Sequence, residues 1–555
     1  MKKYSNWLML AFVSLAGCSD RDLVGTDEEV SGPSGDNRPN ILYIVADDLG
    51  FTDIGAFGGE IPTPNLDKLA FSGMRMTNFH AHSSCQASRV RMMASSGVSS
   101  ALEIHPAIFN GVTYNGGERG NLLSLNWAIL PELLQDAGYV NYMAGKWDLG
   151  ALEGYSPATR GFERSFVNIG ASNSHFAERI YEYPFMYQDD GINLANEDLP
   201  ADFYATRYYT DKIIEFIQSD DGERPWFAFV PYTTPHWPLG LPDDWLDRHA
   251  GNYEAGYDVL RESRIVRAEE LGILPPGASL ASYVSSAVPW QDLSATQQQR
   301  HARAQEIYAG MVEYMDMSIG RIITYLEESD RLENTVVMFS SDHGGSAGSH
   351  GLIEGEPVRD DQVDNTLLDN SIENFGRPKS FIDHGVGFGE AATAPFKHSK
   401  ATISEGGLRA AAFVYYPKAV TSGVSHALMD MVDILPTFLE IAGTEHPGAG
   451  NYKGREINNI VGTSFWSHLT GRSDQVHLPA DSLGWLSGGR GALIRGDYKI
   501  INQVTQRGGM GTAQGPVPPW RLYNITLDPG EAEDISSEHP ELVSELAEDW
   551  EANWR

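Results

Sequence analysis

The sequence predicts an α/β protein with a large, mostly parallel sheet sandwiched by helices, followed by a smaller C-terminal α+β domain. Three observations predict this fold. Short apolar runs stop abruptly at polar residues, helical patterns lie between these runs, and the pattern changes after about Gly443. Strands of a parallel sheet are buried on both faces, so they are apolar throughout rather than at alternate positions.

Predicted strands and helices alternate along the first part of the chain. The clearest apolar runs cover residues 41–46, 139–144, 226–230 and 335–339. Helical patterns cover residues 64–72, 131–137, 205–217 and 304–327. This alternation predicts a doubly wound sheet whose ligand crevice lies beyond the carboxyl ends of the strands. The polar, partly helical stretch 243–299 is predicted to be an insertion over the sheet.

The C-terminal part has a different pattern. Residues 491–501 and 520–527 predict short antiparallel strands, because turn residues separate them. Residues 541–554 predict a closing helix, with Pro540 near its first position. We therefore expect a main domain over residues 38–442 and a C-terminal domain over residues 443–555.

Composition excludes several classes of protein. The chain has 555 residues, and 75 acidic against 40 basic side chains give a net charge of −35. Nucleic acid is excluded as the main partner, because duplex binding depends on neutralisation of phosphates by Lys and Arg. The 2 cysteines exclude a disulfide framework and a cysteine-based zinc finger.

The N-terminus is interpreted as an export signal. A basic start precedes an apolar run over residues 7–16, which is too short to span a bilayer. The run ends in Leu15-Ala16-Gly17-Cys18, which resembles a bacterial lipobox. We expect residues 1–18 to be a lipoprotein signal peptide, Cys18 to carry lipid, and residues 19–37 to be a flexible tether.

Such a signal predicts an exported lipoprotein on the periplasmic face or the surface of the outer membrane. The alternative is an ordinary signal peptide with an incidental cysteine.

Polar side chains follow the predicted strands where each strand ends. Asp47 and Asp48 follow the first strand, Lys146 and Asp148 the second, His236 the third, and Asp342 with His343 the fourth. Each feature alone has a simpler explanation, such as a turn, a helix cap or a hydrogen-bonded loop histidine. Four strands ending in this way predict a site for an anion and a cation at one sheet edge.

Cys85 begins a predicted helix, with Ser84 as its N-cap. Arg89 lies on the same face of that helix, and a helix N-terminus beside a guanidinium favours negative charge at position 85. The alternative is a small buried core residue. The pentapeptide Cys85-Gln86-Ala87-Ser88-Arg89 resembles the type I sulfatase signature, in which the cysteine is oxidised to formylglycine.

Other segments resemble the same family in the same order. They are Asp47-Asp48-Leu49-Gly50, Thr63-Pro64-Asn65-Leu66-Asp67, Gly145-Lys146-Trp147-Asp148-Leu149-Gly150, Pro235-His236-Trp237-Pro238-Leu239, Asp342-His343-Gly344 and the stretch 400–409. The resemblance covers residues 38–550, and the stretch 253–272 resembles the bacterial arylsulfatase branch. It implies an alkaline phosphatase/sulfatase-like fold and places the catalytic domain at residues 38–442.

The resemblance also implies a divalent cation and its ligands. Asp47, Asp48, Asp342 and His343, together with the modified Cys85, would hold calcium, and the donor set leaves magnesium possible. A formylglycine-generating maturation enzyme is then a required partner. The transition state of sulfuryl transfer spreads negative charge over several oxygens, so preorganised cations are the main catalytic means.

The remaining roles follow from the same resemblance. Position 85, as the formylglycine hydrate, would attack sulfur, with one hydroxyl activated by the metal and Asp342, and Arg89 would hold that hydrate. Lys146 and Lys400 would contact sulfate oxygens, and His236 with Lys400 would protonate the leaving alcohol. His105, Trp127 and Trp237 are candidate pocket residues, although aromatic residues are more often core.

One position departs from the family pattern. Asp148 stands where the family has His, the residue thought to accept the proton when the sulfated intermediate collapses. Asp148 is predicted to be the base instead, and to stay ionised beside Lys146 and the metal. The alternative is weakened or lost activity.

The predicted function is a sulfatase that acts on a sulfated carbohydrate or an aryl sulfate. Two alternatives stay open. One is a phosphonate or phosphate diester hydrolase of the same superfamily, and the other is an inactive lipoprotein that binds sulfated glycans. A two-zinc phosphatase is disfavoured, because the sequence shows no second set of His and Asp ligands.

Overall fold

A computed structural model describes residues 38–97, 102–105, 108–109, 112–113, 120–178, 180, 186–220, 222–275, 287–353, 355–358, 363–503 and 517–555. The predicted signal peptide, Cys18 and the tether lie outside these residues. The strands are β1 Asn40–Ala46, β2 Met74–Met76, β3 Phe79–His80, β4 Leu102–His105, β5 Ile108–Phe109, β6 Val112–Thr113, β7 Gly120–Leu123, β8 Val140–Lys146, β9 Arg164–Asn168, β10 Tyr187–Asp189, β11 Ile192–Leu194, β12 Trp226–Pro231, β13 Thr335–Ser341, β14 Ala412–Tyr415, β15 Gly423–Ser425, β16 Met429–Asp430, β17 Gly450–Tyr452, β18 Arg455–Ile457, β19 Ser482–Ser487, β20 Arg490–Arg495, β21 Tyr498–Ile501 and β22 Arg521–Asn524.

The main sheet has a parallel centre. Its order is β11, β10, β9, β8, β12, β1, β13, β14, β2, β15. The five strands from β9 to β13 run parallel, whereas β10, β11 and β14 pair antiparallel with their neighbours. The predicted fold class is confirmed, with a sheet that is parallel at its centre and mixed towards its edges. The carboxyl ends of the parallel strands consequently meet at one edge.

Helices cover both faces of this sheet. They are α1 Pro64–Ser72, α2 Cys85–Ala94, α3 Leu130–Asp136, α4 Ala205–Gln218, α5 Tyr257–Glu270, α6 Ala295–Glu328, α7 Val386–Ala392, α8 Glu405–Leu408, α9 Ile434–Ile441, α10 Trp466–Leu469 and α11 Pro540–Asn553. Alternate residues of β1 face opposite sides: Leu42 and Ile44 pack in the core beneath α1, α4 and α6, whereas Ile41 and Tyr43 pack in the core beneath α2, α3 and α9. This burial on both sides explains the continuous apolar runs in the sequence.

The predicted elements agree with the structure except at some ends. Helix α6 begins nine residues before its predicted start, at a capping box formed by Ser294 and Gln297. A capping box satisfies backbone N–H groups at a helix start, so the sequence did contain the signal for this longer helix. Strand β8 extends to Lys146, which places that lysine at the carboxyl edge of the sheet.

A four-stranded antiparallel sheet, β19 to β22, forms most of the C-terminal part together with α11. Its core includes Trp485, Leu546 and Trp550. The predicted antiparallel strands and the closing helix are therefore present. The described residues from 38 to 555 belong to one compact unit, so a domain boundary at residue 443 stays a prediction. In the described part of the chain, no helix is both long and apolar enough to cross a bilayer.

Candidate active site

Adjacent parallel strands bring distant parts of the chain to one edge. Asp47 and Asp48 follow β1, Lys146 ends β8, and His236 lies in the loop after β12. Asp342 and His343 follow β13, the strand paired with β1 on its other side. The structure thus places the sequence-predicted polar residues together, because β8, β12, β1 and β13 are neighbours in the sheet.

Cys85 opens helix α2 at the centre of this cluster. Its Sγ lies 3.2 Å from Nε2 of His343 and 3.4 Å from Oδ1 of Asp47. The ammonium group of Lys400 lies 3.4 Å from the same sulfur. Lys400 belongs to the loop between α7 and α8, so four separate segments meet at this one side chain.

Two positively charged side chains contact Asp47. Its Oδ2 lies 2.5 Å from Nζ of Lys146 and 3.3 Å from Nη2 of Arg89. Burial raises the pKa of Asp47, but the charge of Lys146, with those of Arg89 and Lys400, outweighs burial and holds this pKa well below its usual value. Asp47 is therefore a carboxylate at neutral pH.

Asp48 and Asp342 are less well neutralised. Lys400 Nζ lies 2.5 Å from Oδ1 of Asp48, yet burial raises the pKa of Asp48. Burial and the nearby charge of Asp47 raise the pKa of Asp342 to about 7. The Oδ2 atoms of Asp48 and Asp342 are buried and have no hydrogen-bond partner among the described residues.

Two histidines direct a nitrogen lone pair towards these carboxylates. Nδ1 of His343 lies 2.8 Å from the carbonyl oxygen of Gly344, and Nδ1 of His236 lies 2.5 Å from that of Trp237. A carbonyl oxygen only accepts, so the proton of each neutral ring is assigned to Nδ1. Burial lowers the pKa of His343 to about 4 and that of His236 well below its usual value.

The family model for sulfatases matches residues 39–444 of this chain. The chain belongs to the sulfatase family. It is 35% identical over 527 residues to an uncharacterized sulfatase of Schizosaccharomyces pombe, covering 92% of this chain and 93% of that protein. It is 33% identical over 420 residues to an arylsulfatase of Klebsiella aerogenes, covering 74% of this chain and 87% of that enzyme. This chain is a sulfatase enzyme of the alkaline phosphatase superfamily.

Solved structures share the fold of this sulfatase. A sulfatase from a Pseudoalteromonas species matches with a TM-score of 0.60 and 20% identity, covering 93% of this chain and 89% of that one. A phosphonate monoester hydrolase of Agrobacterium radiobacter matches with a TM-score of 0.52 and 16% identity, covering 93% and 95% of the two chains. At these identities the likeness shows the fold alone.

The side chains of this sulfatase fit a divalent cation. Donor atoms of Asp47, Cys85, Asp342 and His343 lie within 4.8 Å of one another. Nε2 of His343, which carries the lone pair, lies 3.4 Å from Oδ1 of Asp48. This is an unfavourable approach of two hydrogen-bond acceptors. A cation among these atoms would remove that repulsion and satisfy the unpartnered oxygens of Asp48 and Asp342.

One expectation about ionisation in the sulfatase is wrong. Cys85 was expected to favour a negative charge, but burial and Asp47 raise its thiol pKa well above the usual value. The charges of Lys146 and Lys400 lower this pKa, but they do not outweigh burial and Asp47. The expectation that Asp148 stays ionised beside Lys146 and the metal remains a prediction: burial raises its pKa, and Lys146 and Arg89 lower it only in part.

Asp148 occupies an unusual backbone position in the sulfatase. Its φ of 56° is left-handed, and Nε2 of Gln86 donates to its carbonyl oxygen at 2.9 Å. A non-glycine residue in this conformation is held there by its surroundings. Gln86, the residue after the candidate nucleophile, thus ties the loop of Asp148 to helix α2.

Sequence reasoning missed three residues that support the site. Nε2 of His175 lies 2.9 Å from the carbonyl oxygen of His236, and the hydroxyl of Tyr308 donates to the carbonyl oxygen of Asp48 at 3.2 Å. Gln86 is the third. No local motif marks His175 or Tyr308, because each acts on backbone far away in sequence; Gln86 was visible only as a neighbour of Cys85.

The predicted pocket residues have different outcomes. The side chain of His105 lies outside the described residues. Trp127 is 6% exposed and packs in the core beneath α2 and α3. The ring of Trp237 contacts that of His236 with a centroid distance of 4.7 Å and that of His350 at 4.6 Å, both in a tilted arrangement. Of the aromatic candidates among the described side chains, Trp237 is therefore the one beside the site.

Proposed function

We propose that this sulfatase cleaves sulfate from a sulfated carbohydrate or an aryl sulfate, with Cys85 converted to formylglycine as the nucleophile. One observation carries the proposal: Asp47, His343 and Lys400 converge within 3.4 Å of the Cys85 sulfur. As a thiol, this side chain is a poor nucleophile, because burial and Asp47 raise its pKa. Converted to an aldehyde hydrate, position 85 supplies an oxygen nucleophile instead.

A divalent cation completes the proposed site. Asp47, Asp48, Asp342 and His343, with position 85, are the residues that would hold it. Three carboxylates favour a hard cation such as Ca²⁺, and Mg²⁺ is the alternative. When bound, the ion supplies positive charge that lowers the cost of an oxygen nucleophile and of the negative charge on the sulfuryl group.

Arg89, Lys146 and Lys400 provide fixed positive charge around position 85. Lys146 and Arg89 are buried at 0% and 1% exposure, and both face Asp47. A unit-charge pair at about 4 Å is worth about 4 kcal/mol at an effective dielectric constant of about 20. Because these groups are already oriented, they stabilise sulfuryl oxygens without reorganisation during the reaction.

Lys400 is the proposed positive charge beside the leaving oxygen. Burial lowers its pKa, but Asp48 and other nearby acidic groups outweigh burial and raise it well above its usual value. His236 holds its ring proton at Nδ1, against the carbonyl oxygen of Trp237, and is neutral at neutral pH. In this proposal His236 orients the substrate through Nε2, and the ammonium group of Lys400 stabilises the leaving oxygen.

Asp148 is the proposed base for the second half-reaction. The residue is 8% exposed, and burial raises its pKa, which brings it closer to the pH at which a base works best. It accepts the proton when the sulfated intermediate collapses to aldehyde and sulfate. Asp148→Asn should then release one equivalent of alcohol in a burst and stop as sulfated enzyme, observed by rapid quench and intact mass. An unchanged steady-state rate contradicts this role.

The proposed setting is the cell envelope. Lipid on Cys18 and the tether 19–37 would anchor the enzyme on the periplasmic face or the surface of the outer membrane. A tethered enzyme there meets sulfated glycans outside the cytoplasm. An N-acetylglucosamine-6-O-sulfatase of Bacteroides thetaiotaomicron is 24% identical over 593 residues, covering 95% of this chain, which supports a sulfated sugar as substrate.

The decisive experiment is the mass of the peptide that contains Cys85. The chain is co-expressed with a formylglycine-generating enzyme and assayed on aryl sulfate, aryl phosphonate and a panel of sulfated sugars. We expect aldehyde at position 85, with sulfate hydrolysis fastest, and no hydrolysis by Cys85→Ala. The matched control is Cys18→Ser, which changes membrane anchoring and leaves the site unchanged.

An intact thiol in active enzyme contradicts the nucleophile. Faster hydrolysis of the phosphonate indicates the phosphonate hydrolase instead, and binding of sulfated glycans without turnover indicates the inactive lipoprotein.

A further inference from the structure

The loop that carries Lys400 does not hold its conformation by local preference. This Lys400 loop, residues 393–404, has two non-glycine residues in the left-handed region, His398 at φ 63° and Ala401 at φ 70°. L-residues disfavour this region, and such conformations persist only where the surroundings fix them. Lys400 lies between these two positions, so its placement depends on what holds the loop.

The main domain holds one side of the loop through two backbone hydrogen bonds. The N–H of Lys400 donates to the carbonyl oxygen of Gly345 at 3.1 Å, and that of Ala401 donates to the carbonyl oxygen of Ser83 at 2.8 Å. These bonds join the loop to the segments after Asp342 and before Cys85. They orient the backbone next to Lys400. Other contacts hold the end of the loop.

The C-terminal sheet holds that other end. The amide group of Gln503, just after β21, accepts from the N–H of Ile403 at 2.6 Å and donates to the carbonyl oxygen of Ala401 at 3.4 Å. Nζ of Lys397 donates to the backbone oxygen of Glu531 at 3.2 Å. Segments that follow two strands of this sheet therefore contact the loop on both sides of Lys400.

Beneath the loop lies a buried ion cluster. Lys499 on β21 is 0% exposed, and its Nζ lies 2.7 Å from Oε1 of Glu405 and 2.8 Å from Oε1 of Glu531. Glu405 is the first residue after the Lys400 loop, and its N–H donates to Oε2 of Glu531 at 3.1 Å. Glu405 also pairs with Arg409 and His80. One lysine of the C-terminal sheet thus fixes the residue at which the loop ends.

We propose that Lys499 and Gln503 are positioning residues, which hold the Lys400 loop so that the Lys400 ammonium group reaches position 85. This inference rests on the proposed function, in which Lys400 acts on the sulfate group and the leaving oxygen. Neither Lys499 nor Gln503 contacts the reacting atoms. The C-terminal sheet is then a functional part of the active site rather than an appendage.

The test compares substitutions in the sheet with and without Lys400. Lys499→Met should lower kcat/KM about 100-fold, because small displacements of a catalytic group cost about that much. Gln503→Ala leaves no buried charge without its partner, and it should lower kcat/KM about 3- to 10-fold by the same effect. In a Lys400→Ala background neither substitution should lower the rate further, because both act through Lys400. Losses that multiply in that background overturn the proposal.

Two further measurements separate positioning from general damage. Arg495→Met is the matched control, because Arg495 lies on the same sheet but pairs with Glu545 and Asp549 of α11. It should change kcat/KM less than twofold. Hydrogen exchange should speed up in residues 393–404 of Lys499→Met and Gln503→Ala but not of Arg495→Met; equal exchange in all three overturns the proposal.

The exchange measurement needs no turnover, so it decides the positioning role even if wild-type protein hydrolyses no sulfate ester and the proposed function fails. If Lys499→Met does not fold, Gln503→Ala alone decides, by the same two criteria.

Discussion

The catalytic edge of the main sheet, where Asp47, Asp48 and Asp342 lie, differs from the ion cluster beneath the Lys400 loop. Two buried carboxylates, one from each region, show this difference. Glu405 is surrounded by Lys499, His80 and Arg409, which outweigh burial and lower its pKa well below the usual value. Asp342 is equally buried, yet its pKa rises to about 7, because burial and the negative charge of Asp47 outweigh the charges of Arg89, Lys146 and Lys400. At Glu405 the surrounding cations outweigh burial, whereas at Asp342 the nearby cations do not.

The two regions therefore have different roles: the cluster around Glu405 serves stability, and the catalytic edge serves function. A buried carboxylate with its cations in place contributes to folding, and removing a partner leaves a buried charge unpaired. A buried carboxylate without enough cations destabilises the fold, and a protein retains it where a ligand supplies the missing charge. The catalytic edge is therefore the part of this sulfatase in which a bound cation is expected to improve both stability and activity.

The largest expected effect is the loss of activity on removing a charge from the catalytic edge. Asp342→Asn should lower kcat/KM about 10⁴-fold, a loss typical of removing one essential carboxylate. Its free energy of unfolding without added cation should stay the same or rise, because one of three crowded carboxylates is gone. Steady-state kinetics and urea unfolding measure the two quantities.

Asp316→Asn is the control for Asp342→Asn. Asp316 is also buried, and burial raises its pKa to about 6, but it accepts from the backbone N–H groups of Asn65 and Leu66 at the start of α1. Activity should change less than about threefold, as for an effect outside the machinery. A lower stability of Asp342→Asn without added cation would contradict the comparison.

The second effect is on stability and concerns Glu405. Glu405→Gln should destabilise the protein by about 3–5 kcal/mol, because Lys499 and Arg409 would lose their buried counter-charge. Urea unfolding with an unchanged m-value measures this loss. A change below about 1 kcal/mol, the size typical of an exposed pair, would show that the cluster is not a stabilising one.

The third effect is the pH dependence of cation binding. Asp342 keeps its proton to about pH 7 in the cation-free protein. An acid whose pKa is raised by folding contributes stability below its unfolded pKa, and this contribution is lost as pH rises through the folded pKa. Cation binding requires the ionised form, so affinity should rise about tenfold per pH unit up to about pH 7 for one released proton.

Calorimetric titration with CaCl₂ at about pH 5, 6, 7 and 8 measures this dependence. Asp342→Asn should bind weakly with little change over this range. Wild-type affinity that is constant across it would contradict a role of the Asp342 proton.

The smallest effect is at an exposed ion pair. Nζ of Lys68 lies 2.9 Å from Oε1 of Glu327, and the two side chains are 67% and 44% exposed. Lys68→Met should change the free energy of unfolding by less than about 1 kcal/mol and leave kcat/KM unchanged, because water screens the pair. A larger effect on stability would show that exposure does not distinguish weakly from strongly stabilising ion pairs in this protein.

Much of the site could be predicted from the sequence. Asp47, Lys146 and Asp342 directly end or follow strands of a parallel sheet, and that topology brings strand ends together. Cys85 and Arg89 share a helix face, so their proximity was also predictable. Lys400 carried no such local reason, because it lies in an irregular loop; only the resemblance to the family indicated it.

Other features could not be predicted because they depend on burial and on distant contacts. The expectation of a negative charge at Cys85 was wrong, since neighbouring cations were counted and burial was not. His175 and Tyr308 support backbone atoms far from them in sequence. No spacing rule reveals such contacts.

The sequence by itself determined the parallel core of the sheet, the strand ends that carry charge, and the helix that begins at Cys85, because these depend on local hydrophobic pattern and on neighbouring residues. Tertiary structure alone decided how charge is shared among Asp47, Asp48 and Asp342, and which sheet holds Lys400. The reason is physical: electrostatic energies in a buried site depend on distances and on desolvation, and both are set only when distant segments pack together.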